Sequence, residues 1–156
     1  MASTSIEKAI DQLHAHDHAC LIYETREQQM AAALPYIRSG LRNNELCVYI
    51  ADGNTADAVL GELRSAGVDI EDALAEGRLQ VTASVGSYVV DGVFDVDRMM
   101  TFLDQATQGA LAAGFSAIRI TGEMSWVLAG NPGTDRLFEY EARLNEYAID
   151  HAASGV

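Results

Sequence analysis

Glu123, Met124 and Trp126 follow Gly122 closely, so an acid, a thioether and the chain's only indole stand together. Their chemistry is recognition more than catalysis: the carboxylate accepts hydrogen bonds, while sulfur and indole supply polarisable apolar area. The same residues could instead pack and cap the first turn of a helix. His14, His16 and His18, with Asp17, form a second group, and alternate imidazoles on an extended segment suit Zn²⁺ or Ni²⁺. No Cys or His follows at ligand spacing, and the fourth histidine is His151 near the end, so no metal site is assigned. A hydrolase has no Gly-x-Ser-x-Gly elbow and no Ser, His and acid placed as a triad. A nucleotide hydrolase fails too: Lys8 is the only lysine, and no Gly-x-x-x-x-Gly-Lys-Ser/Thr occurs. Where a phosphate loop would follow the first expected strand stands Glu24-Thr-Arg-Glu27, whose acids repel a triphosphate. Neither an enzyme nor a cofactor is expected.

The elements that must position these residues alternate. A short amphipathic helix is expected over 3–14, with Ser3, Thr4 and Ser5 as candidate caps and Ile6, Ala9, Ile10 and Leu13 at helical spacing. Ala19 to Tyr23 reads as the first strand. Thr25 then caps a helix to about Leu41, which Pro35 should kink or break. Leu46 to Ala51 is the second strand and Arg78 to Ala83 the third, with helices over about 56–66 and from Asp69 to Gly77 between them. Ser84 to Phe94 reads as irregular, with an Asp91-Gly92 turn, and Asp95 caps a long helix over 96–113. Ser116 to Thr121 is the strand that delivers Glu123, and Asn131-Pro-Gly133 breaks the chain before a last helix over about 134–148. There Leu137, Tyr140, Leu144 and Tyr147 should face inward, with Glu139 and Arg143 paired outside. Alternating strands and helices imply a mainly parallel sheet with helices on both faces, a three-layer α/β sandwich. The chain ends at Ser154-Gly-Val156, where a further strand would start, so the sheet is expected to lack an edge strand.

Length and composition bound the reading. The 156 residues suit one domain over 1–156, and 49% apolar with 21% charged residues is a globular balance. A net charge of −13 disfavours nucleic acid and anionic membranes as direct partners. No apolar run approaches a membrane span and no basic-then-apolar leader is visible, so the expected location is the cytoplasm. Cys20 and Cys47 lie in apolar runs and are expected as buried free thiols, a disulfide being conceivable only between neighbouring strands. Arg119, mid-strand, needs an acid such as Glu45 or Glu141; a buried ion pair is the preferred reading over a ligand role.

In a parallel sheet, ligands collect at the carboxyl ends of the strands. Those ends bring Tyr23, Glu24, Asp52, Ser84 and Tyr88 toward Glu123, Met124 and Trp126, a mostly apolar set with a few polar groups. Tyr23 and Trp126 are expected to line a common hollow there.

Five pieces occur in order: Asp17-His-Ala-Cys-Leu-Ile-Tyr-Glu24, Leu46-Cys-Val-Tyr-Ile50, Asp91-Gly-Val-Phe-Asp95, Ile118-Arg-Ile-Thr-Gly-Glu-Met-Ser-Trp126 and Tyr140-Glu-Ala-Arg-Leu-Asn145. Together they resemble the MEDS domain, the methanogen/methylotroph sensory domain of DcmR-type regulators, over about 17–147. The resemblance implies a RecA/KaiC-like core without a phosphate loop, hydrocarbon derivatives as suggested ligands, and members found alone or joined to DNA-binding, kinase or anti-sigma modules. The functional positions it implies are His18, Tyr23, Glu24, Glu123, Trp126, Glu141 and Asn145. No output module is visible, so a signal would pass to a regulatory protein partner, or the chain is a piece of a longer one.

The expectation is therefore a sensory module for a small, largely apolar molecule. Trp126, Met124 and Tyr23 would give contact area; Glu123, Glu24 and His18 would give polar selectivity. The segment from Gly122 to Gly133 is the candidate hinge or lid. The alternatives are a ligand-free module whose acidic surface docks a regulator in a transcription or anti-sigma pathway, which a homodimer through the open sheet edge would favour, and residual nucleotide binding without hydrolysis.

Overall fold

Leu46–Ala51 (β1) is buried at all six positions, the pattern of a central parallel strand covered on both faces. A computed structural model of the protein describes residues 5–156. In it β1 pairs in parallel with Leu79–Ala83 (β2) on one side and Ile118–Gly122 (β5) on the other. Ala153–Gly155 (β6) pairs in parallel with β5, giving the sheet order β2-β1-β5-β6. Alternation along β1 divides the core. Leu46, Val48 and Ile50 face Val96–Ala112 (α5) and Leu137–Asp150 (α6), through Met99, Ala110 and Tyr140. Cys47, Tyr49 and Ala51 face Arg26–Arg42 (α2), Ala56–Ser65 (α3) and Ile70–Ala75 (α4), through Met30, Ile37, Val59, Leu63 and Ile70. This is the three-layer α/β sandwich with a mainly parallel sheet.

Local chemistry sets the helix starts. Thr25 makes a full capping box with Gln28, Thr55 accepts from the Ala58 N–H, and Asp95 from the Arg98 N–H. Pro35 does not end α2, which runs through it, buried against the core. Ser5–Ile10 (α1) begins at one of the three candidate caps; Ser3 and Thr4 lie outside the described residues.

Three expectations change. Ala19 to Tyr23 is not a strand. The chain runs beside β6 slightly earlier: the His16 and Ala19 N–H groups donate to Ala153 and Gly155, and Gly155 donates to Asp17. Ile22 is then left 92% exposed, because no strand lies beyond to cover it. The residues at the chain's end form β6, so the edge expected to be missing is present and shielded by residues 16–19. Finally, the irregular 84–94 stretch contains a hairpin, Val89–Val90 (β3) with Val93–Phe94 (β4). Asp91 and Gly92, at φ 52° and 76°, make its turn, a geometry that glycine and Asp tolerate.

Arg119 finds its acid in Glu45. Its Nε donates to Glu45 Oε2, and its other nitrogens reach Glu45 Oε1, the Tyr36 carbonyl and the Leu13 carbonyl. The guanidinium also lies 4.5 Å from the centre of the Tyr36 ring. One side chain thus ties β5, α2, the turn before β1 and the N-terminal segment. Both cysteines are free thiols; Cys47 is buried as expected, but Cys20 is exposed, because residues 19–23 do not enter the sheet.

Candidate functional site

Two arrangements form at the carboxyl ends of the strands. The first is a closed hydrogen-bonded latch. Where β5 ends, Glu123 accepts from the Tyr49 hydroxyl at 2.6 Å and from the Asp52 and Asn54 backbone N–H groups and Asn54 Nδ2, each at 2.9 Å. Gln29 of α2 accepts from Asn54 Nδ2 and donates to Tyr49. The Ser84 and Ser125 hydroxyls both donate to Asp52, joining the loop after β2 to the turn after β5. Burial pushes the Glu123 carboxyl up, but the donors from Tyr49, Asn54 and Asp52 outweigh it and hold it below the usual carboxylate range. The four donors occupy the carboxylate, so Glu123 holds strand ends together and is not offered to a ligand.

The second is a cleft of about 120 Å³, bounded by residues 18–23, the ends of β5 and β6, and α6. Ile120, Leu144, Tyr147 and Ala148 make its apolar wall, and Tyr88 reaches in from the loop after β2. The polar edge is His18 with Glu141: His18 Nδ1 lies 2.8 Å from Asn145 Oδ1, and Nε2 lies 3.5 Å from Glu141 Oε2. Burial pushes the Glu141 carboxyl up, and the nearby imidazole only partly offsets this. Among the described residues no Lys or Arg lines the cleft.

Of the residues singled out from sequence, His18, Tyr23, Met124 and Glu141 come together around this cleft. Asn145 stands behind His18, orienting its ring. Glu24 is exposed and outside the lining, its backbone N–H used by Gln28 in capping α2. Glu123 is in the latch. Trp126 does not share a hollow with Tyr23: it is buried, stacked on Tyr88 at 5.2 Å and tilted against Phe94 at 4.7 Å, with Tyr88 between it and the cleft. The reason is the short 3-10 helix Ser125–Ala129, which turns the indole back under the β3–β4 hairpin. The α6 wall was legible as an inward stripe in Leu144 and Tyr147. Ala148 and the β6 edge were not, because small residues carry no pocket signal.

The histidines diverge. His16 Nδ1 contacts the Ala148 carbonyl, while His18 turns to Asn145. Among the described residues no group of three or more His, Cys, Asp or Glu is placed to hold a metal ion.

Gly122 shapes the cleft's floor. A Cβ there would sit 2.0 Å from the Tyr88 hydroxyl and 3.0 Å from its Cζ. Gly122→Ala is therefore expected to cost roughly 1–2 kcal/mol, because the end of Tyr88 can shift but must leave its stack. Gly122→Ala combined with Tyr88→Phe should cost less than the sum of the single changes in urea unfolding, because the worst contact is gone.

The comparisons with known proteins agree on family and fold. Residues 17–156 match the family model described as MEDS: MEthanogen/methylotroph, DcmR Sensory domain. The transcriptional repressor DcmR of Methylorubrum extorquens (strain DSM 6343 / CIP 106787 / DM4) is 25% identical over 130 residues. That match takes in 83% of this chain but only 46% of the repressor, so the chain spans less than half the length of the curated relative it matches. The crystal structure of the flagellar accessory protein FlaH from Methanocaldococcus jannaschii superposes with a TM-score of 0.55 at 12% identity, over 99% of this chain and 66% of that one. This likeness carries the fold alone, a RecA/KaiC-like α/β core, here without a phosphate loop. With the match running from Asp17 through β6 to the last residue, the chain belongs to the MEDS family of sensory domains.

Proposed function

We propose that this chain is a cytoplasmic sensory module whose cleft between the 18–23 segment and α6 binds a small, largely apolar molecule, a hydrocarbon derivative, and relays its presence to a regulatory partner or output module. The observation that carries this is the cleft's character: a mostly apolar hollow of about 120 Å³ with the His18 and Glu141 pair on its wall. Engineered apolar cavities of about 150 Å³ hold benzene, so the ligand is of that order, well below drug size. The repressor relative supplies the regulatory context. The relay runs from Tyr88, at the cleft, to Trp126 and the Ser125–Ala129 turn, whose Leu128 is 90% exposed. A ligand that moves Tyr88 changes the indole's stacking and the apolar surface beyond it.

A ligand-free docking role is favoured by one observation, the exposure of Leu128 and Phe138, but that surface fits equally as the relay's output. Nucleotide binding is not favoured: among the described residues the cleft's lining has no Lys or Arg, and Glu141 stands on its wall. A screen of small apolar compounds, read by melting temperature and Trp126 emission, tests the reading. Compounds that raise the melting temperature are expected to change the emission; stabilisation with unchanged emission would count against the cleft and its relay.

A further inference from the structure

We infer that the cleft selects ligands carrying a hydroxyl group on a short apolar body, with His18 and Glu141 clamping that hydroxyl. The inference rests on the sensory reading above and names its ligand class. Asn145 Oδ1 can only accept, so the hydrogen in its 2.8 Å contact with His18 is on Nδ1. His18 Nε2 then faces Glu141 Oε2 across 3.5 Å, too far for a good direct hydrogen bond, with both residues on the cleft wall. A proton on either of these atoms makes it a donor toward the other, and with none on either both accept, so that a ligand O–H donates to one of them. If a proton sits on Nε2, the imidazolium donates and the carboxylate accepts. If it sits on Glu141, the carboxyl donates and Nε2 accepts.

Only a group that donates and accepts at one atom satisfies both protonated arrangements, and a hydroxyl oxygen does so. With the proton on His18, the ligand oxygen accepts from Nε2–H and its O–H goes to Glu141. With the proton on Glu141, the two roles exchange without moving the ligand. A haloalkane can do neither well and leaves the pair to desolvate unmet. A carboxylate meets Glu141 as a like charge wherever that residue is ionised, with no Lys or Arg on the wall to offset it. Ile120, Leu144 and the Tyr147 ring supply apolar area for the ligand's body, with Gln29, Thr121 and Ser154 elsewhere on the lining. A body of about four carbons fits the volume by comparison with benzene-sized cavities.

The test compares 1-butanol, 1-chlorobutane and butyrate by calorimetric titration of the full chain at neutral pH, in the native protein and in Glu141→Leu and His18→Leu. Butanol is expected to bind at least tenfold tighter than the other two, and either substitution is expected to bring butanol down to the level of chlorobutane. Glu141→Leu should fold, because burial already disfavours its ionised form, and His18→Leu guards against the case where it does not. Equal binding of butanol and chlorobutane in the native protein overturns the hydroxyl clamp while leaving the apolar cleft standing. A butanol preference that survives both substitutions overturns it equally. No binding of any of the three overturns the clamp and, with it, the sensory reading.

Discussion

Glu45→Ala is expected to lower the stability of the protein by about 3–5 kcal/mol, the cost of leaving a buried charge without its partner. Arg119 is 1% exposed and Glu45 6%, so water cannot replace the lost carboxylate. The guanidinium would retain only the Tyr36 and Leu13 carbonyls and the face of the Tyr36 ring. For a chain of this size the loss corresponds to a melting temperature lower by roughly 6–20 °C. Replacing both partners, Glu45→Leu with Arg119→Met, removes the charge as well as its counter-charge and should recover most of that loss. Thermal unfolding of the two variants beside the native protein checks the pair: a double variant as unstable as Glu45→Ala alone would show that packing, not charge, holds this corner.

Glu123→Gln is the second large effect, about 3 kcal/mol, at the upper end for hydrogen bonds to an ionised group. An amide nitrogen would then face the Asp52 or Asn54 N–H groups, donor against donor. The pH dependence has a definite sign. Because the folded carboxyl titrates below its ordinary range, its contribution is complete above that range and is lost as pH falls through the lowered value. Urea unfolding from neutral to acid pH should therefore show the gap between native protein and Glu123→Gln closing as the pH drops. A gap that is constant or widens toward acid would mean that the carboxylate is not the latch.

Much of the fold was legible because local signals and tertiary demands agreed. The unbroken apolar run of β1, the caps at Thr25 and Asp95, and the Asp91-Gly92 turn each state their structure in a few residues. Residues 19–23 misled because an apolar run looks the same whether it joins a sheet or lines a cleft and spills into solvent. β6 was hidden for the opposite reason: Ala153-Ser-Gly155 has no strand propensity of its own and is extended only because β5 and residues 16–19 pair with it. The site divided along the same line. Family resemblance named His18 and Glu141 as functional positions, but that they meet, 123 positions apart, was not legible, since no spacing rule joins them. The direction of Trp126 depended on a 3-10 turn that sequence periodicity does not report.

The central claim is that a small molecule occupies the hollow between residues 18–23 and α6, and a bromine atom can mark it. In a crystal of the protein soaked with 3-bromo-1-propanol, the account predicts anomalous density among Ile120, Leu144 and Tyr147, with the hydroxyl toward His18 and Glu141. Bromine found only elsewhere on the surface, with the hollow still free of it at saturating compound, would contradict the account.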